Sequence, residues 1–156
     1  MLRLLTFFLI TLAASARTHW VASWGAAPDQ ACTPLPPATT IRQVVRLSFG
    51  GTAVRLRVSN LYGEAPLTLR SLRLARQSSG SSMTTGQDRK VTFSGRTTII
   101  VPKGSSALSD TVNLPVHALE ELAVSIYLPD GSTAPTCHGV GNTTAWFVSG
   151  DQTGVM

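Results

Sequence analysis

The sequence predicts an all-β fold: an antiparallel β-sandwich, jelly-roll-like, of about seven or eight short strands. Three observations predict it. Only 13% of the 156 residues are charged, while Gly, Pro, Ser and Thr are plentiful and no long Ala/Glu/Lys/Leu segment occurs, a mix that suits strands and turns. Apolar residues recur at every second position in several separate stretches, with Gly or Pro between them. No helical period survives beyond the first sixteen residues, since 116–122 is too short to count.

Residues 1–16 have a reading of their own. Arg3 supplies a positive charge, 4–14 are an apolar run, and Ala14-Ser15-Ala16 fits a small-x-small cleavage site, so a secretory signal peptide cut after Ala16 is expected. The run is far shorter than the roughly 20 apolar residues that cross a membrane, so no membrane insertion is expected. Loss of Arg3 lowers the formal charge from +5 to +4. Export, together with the absence of any run of five like charges, argues against a nucleic-acid partner. An oxidising compartment also predicts that Cys32 and Cys137, the only cysteines, pair with each other, the alternative being two buried thiols.

From Ile41 onward the apolar alternation marks successive strands. Ile41, Val45, Leu47 and Phe49 share one phase, and Val54, Leu56 and Val58 share one phase beyond Gly50-Gly51. A two-residue turn at the glycines would make a hairpin with Leu47 opposite Val54 and Val45 opposite Leu56. That register sets Arg46 against Arg55, with Arg42 and Arg57 on the same outward face, and like charges across a strand pair are unfavourable. Such a stripe either splays into water or pairs with Glu64, Glu120 or Asp130; otherwise it is a docking face for a second domain or an acidic polysaccharide.

Leu67 and Leu69 alternate in one phase and Leu72 and Leu74 in the other, which predicts a β-bulge near Arg70-Ser71. "QSSGSSMTTGQ", 77–87, reads as an exposed flexible loop, with strand resuming at Lys90 to Phe93. "TTIIVP", 97–102, is a strand ended by Pro102, and 108–116 alternates weakly up to Pro115. Leu122, Val124, Ile126 and Leu128 alternate most cleanly, closed by the turn Pro129-Asp130-Gly131, and 145–149 is the last strand candidate.

Catalytic patterns are incomplete. Neither Gly-x-Ser-x-Gly nor Gly-Asp-Ser occurs, and Ser149-Gly150-Asp151 is a reordering that chance readily produces. His19, His117 and His138 have no Asp three residues before them. Cys137-His138 has no second ligand at metal-binding spacing, so neither metal nor other cofactor is expected. Gly50-Gly51 lacks the strand-loop-helix setting of a phosphate loop. Trp20, Trp24, Trp146 and Tyr62 either stack on sugars or fill the core and its ends. Asn142 opens an Asn-Thr-Thr sequon, a glycosylation candidate that would mark an exposed loop.

Several ordered blocks, "WVASWGAAP", "TIRQVVRLSFGGTAVRLRVSNLYGEAPLTL", "GQDRKVTFSGRTTIIVPKGSSALSDTV" and "LAVSIYLPDG" running into "FVSGD", resemble the N-terminal β domain of secreted SGNH/GDSL-type hydrolases. The likeness covers nearly all of the mature chain. It implies a β-sandwich followed by an α/β esterase domain acting on acyl or acetyl esters, often of carbohydrates. The family's catalytic Ser, oxyanion-hole Gly and Asn, and Asp-x-x-His lie in that second domain, and no position here matches them. The resulting expectation is a signal peptide at 1–16, an accessory sandwich at 17–150 and the start of a linker at 151–156. As such a fragment the chain would be extracellular and inactive alone. Its partners would be the missing catalytic domain and an acidic or acetylated polysaccharide. The alternative is a stand-alone secreted sandwich that binds carbohydrate or protein; a third reading is weak esterase activity from an unrecognised site.

Overall fold

The computed structural model describes residues 18–140 and 143–155, so the signal peptide expected at 1–16 and the glycosylation candidate Asn142 lie outside the described residues. Among the latter there are twelve strands and no helix. In chain order they are β1 (Gln30–Ala31), β2 (Thr39–Arg46), β3 (Arg57–Asn60), β4 (Leu67–Leu69), β5 (Ser71–Ser79) and β6 (Ser82–Met83). They continue as β7 (Arg89–Lys90), β8 (Ile99–Val101), β9 (Ser105–Leu108), β10 (Glu121–Leu128), β11 (Thr136–Cys137) and β12 (Ala145–Ser149). Eight of the twelve are three residues or longer, and all pairings are antiparallel.

Residues 39–128 make one long antiparallel ribbon folded on itself. Its open end is Thr39 against Leu128, and pairing continues through Arg46 against Glu121, Gly51 against Val116, Val54 against Val112 and Arg57 against Leu108. Beyond the loop after β3 the ribbon resumes as Leu67 against Val101, then Leu74 against Arg89, and closes at Ser79 against Ser82. Rolling brings β5 beside β10, so one layer has the order β12-β2-β10-β5 with β6 and β7 at its far side. The pairs β3-β9 and β4-β8 form the facing layer. This wrapped ribbon is the organisation of a jelly roll, an antiparallel sandwich as the alternation predicts.

The true hairpin tip corrects two expectations. Gly50-Gly51 is a bend of the ribbon and not a hairpin turn, because both edges of β2 are occupied by β10 and β12. A Cβ at Gly50 would stand 2.7 Å from the Val116 carbonyl oxygen, which is why the bend needs glycine there. The hairpin tip lies instead in 77–87, and Met83 in it is 2% exposed, so the segment is no flexible exposed loop. Arg70-Ser71 is likewise a change of layer and not a bulge: β4 pairs with β8, and β5 pairs with β10. The phase of the leucines flips there because "inward" reverses between facing layers.

Val45 and Leu47 from one layer meet Val54, Leu56 and Val58 from the other in the main core cluster, with Leu72, Leu74, Leu114 and Leu122. Leu67, Leu69, Val101 and Leu128 form a second cluster toward the Leu35 end. Asn60, fully buried, ties the bend between β3 and β4, its Nδ2 donating to the carbonyls of Ala65, Val101 and Pro102.

The β1–β11 ribbon carries the Cys32–Cys137 disulfide, with Cα atoms 5.8 Å apart across a separation of 105 residues. It fastens the segment before the roll to the segment after it. Replacing both cysteines by serine should lower unfolding free energy by up to about 4–5 kcal/mol through the freed unfolded chain, checked by urea titration of both forms. A loss below about 1 kcal/mol would show that the bridge hardly restricts that state.

Candidate functional site

The expected arginine stripe is divided between two layers. Arg46 stands across from Glu121 and not Arg55, because β2 pairs with β10. Arg42 and Arg46 belong to the outer face of the β2 layer, while Arg55 and Arg57 belong to the facing one. The opposition of like charges that motivated a docking stripe therefore does not arise.

Each arginine has a different environment. Arg42 is partly buried and takes no carboxylate: its Nε donates to Ser125 Oγ at 2.8 Å, Nη1 to the Ser81 carbonyl at 2.7 Å, and Nη2 to the carbonyls of Gln152 and Val155 at 3.1 and 2.8 Å. Burial draws its pKa below the ordinary arginine value. Arg55 lies over the Trp20 ring, 4.5 Å from its centroid, and its Nε donates to Thr111 Oγ1. Arg57 is exposed beside Leu108 in the β3–β9 register. Of the acidic partners considered, Glu120 is taken by Arg76, an arginine the stripe omitted.

Around Arg42 the outer face is a row set by strand register: Lys90, Arg73, Ser125, Arg42, Trp146. The 150–155 segment crosses this face. Thr40 Oγ1 donates to the Gly150 carbonyl and accepts from the Gln152 N–H; Ser71 and Thr153 hydroxyls lie 2.9 Å apart. Ser71, Arg73 and Ala75 alternate with Leu72 and Leu74 in the sequence, so the outer phase of β5 was visible there. What no pattern announced was that β6 and residues 150–155 would cover it.

Two carboxylates are held below their ordinary pKa. For Asp110 the main cause is the Thr92 hydroxyl, followed by the Gly95 N–H; it also accepts from the Ser94 N–H and feels Arg55. For Glu120 burial pushes upward, but the His117 N–H and the Arg76 guanidinium outweigh it.

Arg46, Arg76, Leu119, Glu120 and Glu121 border an open groove of about 480 Å3. Leu119 has a left-handed backbone, φ 66°, and a largely exposed side chain. Ser149 lies on β12 opposite Thr39, and the Asp151 carboxylate accepts from the N–H and hydroxyl of Thr153. Among the described residues no imidazole of His19, His117 or His138 is hydrogen-bonded to a serine, and no three His, Cys, Asp or Glu side chains converge as a metal site. Trp20, Trp146 and Tyr62 sit on separate elements: Trp20 on Arg55, Trp146 on β12, and Tyr62 in the loop whose N–H bonds Thr136.

The chain matches no protein-family model and no curated protein.

Arg42→Met should lower stability by about 1.5–3 kcal/mol, since four acceptors lose a charged donor, and should speed hydrogen exchange at the Gln152 and Thr153 amides. Unchanged exchange there would mean that Thr40 and Ser71 hold the segment without Arg42. Because Asp110 titrates lower folded than unfolded, its stabilisation is complete above the unfolded carboxylate range and fades as pH falls through the folded value. Urea midpoints measured below about pH 5 should therefore fall less steeply in Asp110→Asn than in the parent.

Proposed function

We propose that this chain is the accessory β-sandwich of a secreted SGNH/GDSL-type ester hydrolase, a domain that positions catalysis performed elsewhere. The sequence blocks that resemble that family supply the reading. The observation that supports it best is an apolar margin left in solvent. Residues 18–28 have no strand partner and meet the sandwich where Ser23 bonds Ser48 and Phe49. Trp20, Val21, Trp24 and Phe49 are all exposed in this neighbourhood. Exposed aromatic groups beside an anchored arm suit docking against another domain, and Arg55, stacked under Trp20, would belong to that contact. The disulfide suits an extracellular setting, and no helix among the described residues is long and apolar enough to cross a membrane.

A second reading, a stand-alone secreted sandwich that binds carbohydrate or protein, is favoured by the open groove beside Arg46, whose mixed charges and exposed Leu119 suit a polar ligand with an apolar face.

Both readings meet one experiment. The purified chain is assayed for p-nitrophenyl acetate hydrolysis alone, then titrated with an SGNH α/β domain by calorimetry. The accessory reading expects no turnover above buffer from the chain alone, and micromolar association that weakens at least about tenfold in Trp24→Ala/Phe49→Ser. Turnover by the chain alone that a serine substitution abolishes would overturn it. Absence of association would leave the stand-alone reading.

A further inference from the structure

A cleft separate from the docking margin lies between β5, β7 and the 150–155 segment. It encloses about 220 Å3, lined by Arg70, Ser71, Arg73, Lys90, Thr97 and Asp151. That volume is below the roughly 300 Å3 at which drug-sized pockets begin, and it suits a single small polar ring.

Charge defines what such a ring must carry. Lys90 stands directly across from Arg73 on the neighbouring strand, an unfavourable pairing that Asp88 relieves only on the Arg73 side. Among the described residues neither the Arg70 nor the Lys90 side chain has a hydrogen bond or ion pair, so two cations line the cleft without being paired to the Asp151 carboxylate that shares it. An external carboxylate can accept charge-assisted hydrogen bonds from both.

The carboxylate that shares the cleft narrows the choice. Asp151 uses Oδ1 to accept from the N–H and Oγ1 of Thr153, which fixes the carboxylate and leaves Oδ2 open. A phosphate or sulfate, anionic on every side, meets repulsion there. A molecule with one carboxylate and adjacent hydroxyls satisfies both signs of charge: its carboxylate faces Arg70 and Lys90, while its hydroxyls donate to Asp151 and bond Thr97.

We propose that this cleft binds a uronate residue of an acidic polysaccharide. The site uses none of Arg42, Arg46, Arg55 or Arg57, and it stands whether or not the chain serves an esterase.

The test is calorimetric titration of the purified, disulfide-bonded chain with trigalacturonate at low ionic strength. Binding is expected, and Arg70→Gln/Lys90→Gln should weaken it at least tenfold. Both side chains lack internal partners, so the double variant should fold as the parent does, confirmed by circular dichroism. Lys103→Gln, exposed after β8, removes a charge elsewhere and should leave binding within twofold. The proposal is overturned by no binding at millimolar trigalacturonate, by equal loss in Lys103→Gln, or by equally tight binding of the fully methyl-esterified trimer. Displacement of trigalacturonate by equimolar sulfate would overturn the uronate assignment, because Asp151 should disfavour that ion.

Discussion

The structure depends on one constraint: a two-stranded ribbon running from Thr39 to Leu128 cannot bury its apolar face until it folds on itself. Rolling sets β10 between β2 and β5 and turns Leu72, Leu74, Leu122 and Val124 toward Val54, Leu56 and Val58. Each fully buried Leu or Val contributes about 1.5–3 kcal/mol, enough to offset local strain at the bends. That strain is visible where Leu119 and Ser94 take left-handed backbones, at a cost on the order of 1 kcal/mol each. Gly50, opposite the Leu119 bend, has no room for a side chain.

Alternation made the layers legible but not their connection. Val45 and Leu47 on one side of Gly50-Gly51 and Val54 and Leu56 on the other must share a core in a flat hairpin and in a folded ribbon alike, so period two cannot separate the two. What separates them is which strand takes the edges of β2, and that partner, β10, lies about eighty residues away in the chain. The Leu69-to-Leu72 phase flip has the same ambiguity between bulge and layer change. Sequence also hid the hairpin tip, because small polar residues around Gly80 look like loop, and only Met83 hinted that one side is covered. The disulfide was legible because two cysteines allow one pairing. The candidate site was legible only as a surplus of arginine: pairing, not composition, decides which of them are satisfied.

The outer face of β10 explains much of that division. Ala123 and its β5 neighbour Ala75 are small and fully buried against Met83 of β6, and Ser125 is fully buried beside Arg42, which the 150–155 segment contacts. A cation on such a face must find donors' partners locally, and Arg42 does so through three carbonyls and a hydroxyl in place of a carboxylate. Arg73 and Arg76, farther out, take Asp88 and Glu120.

Arg70 and Lys90 fall outside this scheme, because neither side chain takes a partner among the described residues. The Asp151 wall of their cleft exists only while residues 150–155 lie on the sheet, and that docking is held by Thr40, Ser71 and Arg42. Arg42 thus shapes the cleft without lining it. Any ligand that needs Asp151 binds the docked form preferentially, so occupancy of the cleft and attachment of the segment are linked, each strengthening the other by the same free energy. Residues 150–155 are, in the folded chain, a piece of the sheet's outer surface. They are therefore oriented by the sandwich, and anything that fills the cleft is felt at that same segment.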